Sequence, residues 1–156
     1  MDLFALQKSI ERYIENNCER YLERFGIEEK PKITIDYFNL DRYKVPFICY
    51  VTFNDGGISY TNNSYQTDCM KTRRVPMSVF LIFRDGPQDV LYEKMMNGTS
   101  SFERMFLEFD VGSVLGVNDL ELRQVSTFPI VAANQYILGA EFQFDVDADV
   151  YGADEY

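Results

Sequence analysis

The stretch Val75–Phe83 constrains this chain more than any other. It reads Val-Pro-Met-Ser-Val-Phe-Leu-Ile-Phe, with Arg84-Asp85-Gly86-Pro87 directly behind it. After Ser78 every residue up to Phe83 is apolar, and the run is rich in β-branched and aromatic types. A run that short, ended by Asp-Gly-Pro, reads as a strand buried on both faces rather than as a helix. Such a strand needs something lying over each face, and the candidates are a long N-terminal amphipathic segment and one or two shorter segments after Gly86. The expected class is therefore α+β: a mixed, mainly antiparallel sheet, with a long N-terminal helix and one or two short helices packed on it.

The N-terminal segment supplies one cover. Asp2 can cap a helix that begins at Leu3. Leu3, Leu6, Ile10, Tyr13, Ile14, Cys18, Tyr21, Leu22 and Phe25 then recur in steps of three and four. Gly26 follows as a C-terminal stop, with Ile27 closing over the last turn. At 1.5 Å per residue the helix is about 35 Å long, enough to cross a sheet. Its outer side carries Glu11, Glu15, Glu19 and Glu23 in one row, and Lys8, Arg12, Arg20 and Arg24 in the next. These rows either pair with each other in solvent or meet another subunit.

Next, Ile33, Ile35 and Tyr37 alternate with Thr34 and Asp36 as a half-buried first strand. Asn39–Lys44 is a polar break, and Phe47–Phe53 is a second strand. Asn54-Asp55-Gly56-Gly57 reads as a hairpin turn of the Asp-Gly type, returning Ile58–Thr61 as a third strand. Asn62–Thr72 is polar and without period, so a functional or mobile loop is expected. Gln88–Met96 reads as a short helix stopped by Asn97-Gly98. Ser100–Glu103 fits a capping box opening a second one, with Phe102, Met105, Phe106 and Phe109 on one side. Met105–Phe109 also fits a short strand. Asp119–Ser126 reads as a strand and Phe128-Pro129-Ile130 as a bend. The last run alternates cleanly: Phe142, Phe144, Val146, Ala148 and Val150 on one face, Glu141, Gln143, Asp145, Asp147 and Asp149 on the other. The expected core comprises Ile10, Ile14, Phe47 or Ile48, Val51, Val79, Leu81, Phe83, Phe142 and Phe144. The 156 residues suit one domain, 1–150, followed by an acidic tail, Tyr151–Tyr156.

Chemistry is narrowed by what the chain lacks. There is no histidine, which removes the commonest general base, the usual metal imidazole and any Ser-His-Asp or Cys-His arrangement. No Gly-x-Gly-x-x-Gly or Walker loop marks a nucleotide cradle. Asp145-Val-Asp147-Ala-Asp149 resembles the start of a calcium loop but has Val150 where that loop needs glycine. No catalytic, cofactor-binding or metal-binding residue is therefore assigned, and no cofactor or enzymatic activity is expected. A net charge of −10 argues against a nucleic-acid-binding module. Three scattered cysteines, an odd number, fit a reducing compartment. No apolar stretch reaches membrane-spanning length, and Met1–Lys8 lacks the features of a signal peptide.

Two groups of residues remain as candidate sites. Lys71, Arg73 and Arg74 form a positive cluster at the end of the polar loop that contains Tyr65. The cluster either pairs with nearby carboxylates or contacts a partner's acidic surface. With Glu15 and Glu19 of the N-terminal helix it makes a candidate subunit interface. Glu141, Asp145, Asp147 and Asp149 form a carboxylate ladder facing solvent or a wide lumen, since like charges along a strand are tolerated where the face is open to water.

The order of elements carried by Leu3–Phe25, Phe47–Tyr60, Val75–Phe83 with Asp85-Gly86-Pro87, and Glu141–Val150 resembles that of the small ring proteins of tailed-phage necks, the tail-terminator and head–tail completion proteins. The likeness is one of pattern, and Gly98–Ser126 departs from it. It implies a non-enzymatic virion protein, assembled in the host cytoplasm as a hexameric or dodecameric ring. Portal, adaptor or tail proteins would be its neighbours, and DNA would pass through the lumen without specific binding. A head-to-tail ring needs two different patches on one subunit. The alternative is an acidic cytoplasmic interaction or immunity-type module that binds a basic protein.

Overall fold

The computed structural model describes residues 1–35, 45–61, 71–132 and 135–150, with backbone alone at 130–132, 135 and 136. The elements follow in the order α1 (Leu3–Arg24), β1 (Lys32–Thr34), β2 (Phe47–Phe53), β3 (Ser59–Thr61), β4 (Thr72–Phe83), α2 (Gln88–Leu107), β5 (Val117–Ala132) and β6 (Gln135–Asp149). The strands form one sheet in the order β1-β2-β4-β6-β5, with β3 also paired to β4. Only the β1–β2 pairing is parallel among the described strands. The chain is thus α+β with a mixed, mostly antiparallel sheet. Tyr37, Asn39–Lys44, Tyr65 with most of its loop, and the expected tail Tyr151–Tyr156 lie outside the described residues.

The run Val75–Phe83 is the inner part of β4, flanked by β2 and β6. Its odd-numbered residues, Val75, Met77, Val79, Leu81 and Phe83, have no exposed surface and belong to a single core cluster. That cluster also holds Phe142, Phe144 and Val146 of β6, Leu6, Ile10 and Ile14 of α1, and Phe102, Met105 and Phe106 of α2. Both helices therefore cover the same face of the sheet, not one face each as a strand buried on both sides would need, and on the other face Phe80 and Ile82 are only half-buried. All the residues expected in the core are buried, Phe47 and Ile48 both included.

Helix α1 starts and ends as its residues dictate. The Asp2 carboxylate accepts from Ala5 N–H at 2.7 Å. At the other end Gly26 has φ +78°. Its N–H donates to Glu23 O at 3.1 Å and that of Ile27 to Leu22 O at 3.0 Å, satisfying carbonyls that the helix leaves open. On the buried side Tyr13 Oη donates to Met105 O at 3.0 Å. Burial pushes the Tyr13 phenol up to about 12 and the Cys18 thiol up to about 11. A proton held more tightly in the folded than in the unfolded chain contributes stability below the unfolded value, which is lost as pH rises toward the folded one. Stability should therefore fall between about pH 9 and 12, by roughly 1.4 kcal/mol per pH unit for each group once it ionises in the unfolded chain. Denaturant melts across that range would show it, and Tyr13→Phe should flatten the upper part. A level profile from pH 9 to 11 would refute this account of the α1 contact.

The expected hairpin after β2 is not formed. β3 pairs with β4, not β2, so β2 and β3 lie end to end along one side of β4. Pro76 explains the detour between them. Its carbonyl accepts from Asn54 N–H at 2.9 Å, so its nitrogen, which has no hydrogen to donate, points at the same edge. The ladder stops there, and Asn54–Ile58 loops around the ring, where a Cβ on Gly56 would lie 3.1 Å from Pro76 Cγ.

The two expected short helices are one, α2, which runs through Asn97-Gly98. Ser100, the expected cap, lies inside the helix, as does the buried Ser101, whose hydroxyl donates back to Asn97 O at 2.8 Å. The strand alternative for Met105–Phe109 falls with it, since α2 continues to Leu107. The expected bend at Phe128-Pro129-Ile130 is also straight strand. β5 and β6 form a long hairpin whose pairing continues to Ala132↔Gln135, beyond the end of β4. Pro129 is tolerated because it pairs with Leu138, whose own backbone groups turn toward β4. Its donor-less nitrogen therefore faces the outer edge. In β1 the buried residue is Thr34, while Ile33 and Ile35 are half-buried.

Candidate interaction surface

With both helices on one side, the other face of the sheet carries no helix among the described residues. Strand alternation puts the even residues of β4 and the odd residues of β6 there. The face divides into three zones along the strands.

The first zone is aromatic. Tyr50 of β2 stacks beside Phe80 of β4 at 6.3 Å, and Phe80 meets Phe128 of β5 edge-on at 6.4 Å. Phe128 pairs with Gly139 of β6. A Cβ on Gly139 would come within 2.6 Å of the Phe128 ring, so the ring lies directly on glycine backbone. All three rings are half-buried.

The middle zone is a hydrogen-bonded chain. Asn54 Nδ2 donates to Ser78 Oγ at 2.9 Å, Ser78 Oγ to Glu141 Oε2 at 2.9 Å, and Gln143 Nε2 to Glu141 Oε1 at 3.3 Å. The Ser78 residue is 1% exposed. Its hydroxyl therefore fixes the Glu141 carboxylate and offers a substrate no approach.

The third zone holds the carboxylates. Asp145 and Asp147 of β6 stand opposite Glu121 and Asp119 of β5, like charge facing like charge. Such pairs destabilise a sheet unless a cation intervenes. Arg74 supplies one. Its guanidinium pairs with Glu121, with Asp147 at 3.4 Å and with Asp145 at 3.6 Å. Arg123 supplies another, 3.2 Å from Asp145. Burial lifts the Asp147 carboxyl above the ordinary aspartate value, Arg74 pulls it down, and Asp119, Asp145 and Glu121 add to the lift. Asp149 accepts from Asn118 at 3.0 Å. With Glu141, these carboxylates outnumber the two guanidiniums, so the face is net acidic. Among the described residues no group of three His, Cys, Asp or Glu is placed to hold a metal ion.

No protein-family model matches this chain, and no curated protein matches it.

The structure separates residues that the sequence places side by side. Arg73 and Arg74 are neighbours in a strand, so they point to opposite faces. Arg73 is buried at 9% exposure on the helix side, where it donates to Met1 O. Arg74 joins the carboxylate ladder. The positive cluster is therefore not one patch, and of its members Lys71 alone is fully at the surface. Glu15 is taken up by Lys30, while Glu19 is exposed on α1. Glu141, Asp145, Asp147 and Asp149 do share one face as alternation required, with Asp145 only 15% exposed under its two arginines. Arg123 and the aromatic row escaped the sequence reading. Arg123 reaches Asp145 next to an irregularity in the β5 register between Leu122 and Gln124, and the row joins residues from three distant strands.

Proposed function

We propose that this chain is a non-enzymatic structural subunit, forming a homo-oligomeric ring of six or twelve copies at the head–tail neck or tail end of a tailed phage. The observation that supports this most is the one-sided layering, which among the described residues leaves a face without a helix, carrying a net-acidic ladder of carboxylates on β5 and β6. Turned toward a lumen, that face repels DNA phosphates and lets a duplex pass without specific binding. Arg74 and Arg123 lower the repulsion within the ladder while leaving its sign. The ring sits in the virion against portal, adaptor or tail proteins. Native mass spectrometry of the full chain tests this: a closed hexamer or dodecamer is expected. A monomer at all concentrations would favour the second reading, an acidic module for a basic protein partner, to which the net charge of −10 also lends itself.

A further inference from the structure

We infer that two copies of this chain pair edge to edge through the second half of β5, the stretch Val125–Thr127 of one running antiparallel to the same stretch of the other about a two-fold axis at Ser126. The contact goes beyond the ring reading and stands without it.

β5 ends the sheet, with no strand beyond it among the described residues. An edge strand presents a row of unpaired N–H and C=O groups, and folded chains blunt such edges with bulges, charges and proline. β5 is blunted mainly along its first half. Its register is irregular between Val117 and Asp119 and again between Leu122 and Gln124, and Asp119, Glu121 and Arg123 put charge on that stretch. From Val125 to Ala132 the pairing with β6 runs without irregularity, and no residue there is charged. Pro129 alone interrupts that stretch.

The direction of the backbone groups follows from β4. Pro76 pairs with Asp145, yet its carbonyl turns the other way, to Asn54. Odd-numbered residues of β6 therefore bond to β5 and even-numbered ones to β4. Val125 and Thr127 stand opposite Phe142 and Ala140, both even, so they turn their N–H and C=O to the outer edge. No described group bonds to them there. Thr127 is exposed, and Val125 and Ser126 are half-buried.

The edge sets the register, and the register is self-complementary. With Ser126 facing the partner's Ser126, Val125 meets the partner's Thr127 and Thr127 the partner's Val125. Each pair exchanges both of its N–H···O bonds. An axis at Thr127 or Phe128 would set Pro129 opposite Val125 or Thr127 and leave carbonyls without a donor. An axis nearer the start of β5 would run into the irregularity between Leu122 and Gln124. Charge favours the same choice. Glu121 falls opposite position 131 of the partner, so the acidic ladders of the two copies stand on the order of 30 Å apart along the strands. A chain of net charge −10 associates where its carboxylates are kept apart. Such a contact uses the same patch on both copies and closes at two.

The axis is perpendicular to the sheet, so both copies keep their helices on one side and their carboxylates on the other. Where the chain forms a ring with the carboxylates toward a lumen, this contact joins two rings of six into an assembly of twelve and continues the acidic lining from one ring to the next.

The test is amide hydrogen exchange of the full-length wild type over a concentration series, with native mass spectrometry at each point. The Val125 and Thr127 amides are expected to exchange freely in the dilute unpaired species and about tenfold or more slowly once pairs form. Thr127→Pro removes an outward donor and, like Pro129, none that bonds to β6. It should leave circular dichroism unchanged and raise the dissociation constant of pairing about tenfold or more, since the symmetric contact loses two hydrogen bonds. If Thr127→Pro were to unfold the chain, exchange in the wild type decides alone. Free exchange of both amides in the assembled protein would overturn the contact. So would equal slowing in the monomer, which would mean that the chain covers its own edge, or a folded Thr127→Pro that pairs like the wild type. Pairs without rings would support the contact and overturn the ring. Rings of six with both amides free would do the reverse. A monomer at every concentration would overturn both.

Discussion

Phe142→Ala is expected to lower the unfolding free energy by about 3–5 kcal/mol, the range for emptying a buried aromatic site. Phe142 has no exposed surface. It pairs with Val79 of β4 and Val125 of β5, and its ring lies 5.9 Å from Phe102 and 5.6 Å from Phe106 of α2. Removing it opens a void where helix and sheet meet, and the neighbours that line it are themselves held by the register of three strands. They cannot collapse far, which places the cost toward the upper part of the range. A domain of this size has about 5–15 kcal/mol in all, so the variant should lose a large share of its stability. Urea titration would show a lower midpoint with an unchanged slope. A loss under about 1 kcal/mol would mean that α2 does not pack on β6 as described.

How much of this was legible beforehand depended on whether the signal was local. Helix α1 was, because period, cap and stop all sit in its own residues: Asp2, the apolar stripe and Gly26. The β4 run and the β6 alternation were legible for the same reason. What failed was each place where a partner decided the outcome. Asn54-Asp55-Gly56-Gly57 has the composition of a hairpin turn, but the missing donor of Pro76 on another strand makes it a detour. Phe128-Pro129-Ile130 looks like a bend until the pairing with Leu138 shows that the proline nitrogen faces an open edge. The candidate site followed the same division. The ladder Glu141–Asp149 was readable from alternation alone. The opposite fates of Arg73 and Arg74 would have followed had β4 been extended back to Thr72, but the polar loop before them drew both into one cluster. Arg123 and the row from Tyr50 to Phe128 need the register of the whole sheet, which no local pattern carries.

Gly98 is the sharpest case of a residue whose role is set by its partner, and Gly98→Leu is expected to cost about 3 kcal/mol, the upper part of the usual range for overpacking a core. Asn97-Gly98 has the form of a helix stop, yet α2 passes through it and Gly98 has no positive φ. The glycine is there for space. A Cβ at this position would lie 2.8 Å from Phe83 Cζ, with Ile27 Cδ1 at 3.8 Å. The Phe83 ring cannot retreat easily, because it is fully buried and stacks on Phe47 at 4.5 Å. Two effects therefore oppose each other in Gly98→Ala. Helix propensity favours alanine by about 1 kcal/mol, and the clash costs a similar amount or more, so a small net loss is expected. Leucine adds bulk with no further gain in propensity, so the clash dominates. A helix stop predicts something else: alanine and leucine would be similarly harmful, through backbone strain at a left-handed position. The decisive comparison is a cycle with Phe83→Leu. If the contact with that ring sets the cost, Gly98→Ala should be tolerated better, or become stabilising, once the ring is trimmed. Strict additivity of the two changes would show that Gly98 and Phe83 do not meet, and that α2 crosses the sheet elsewhere.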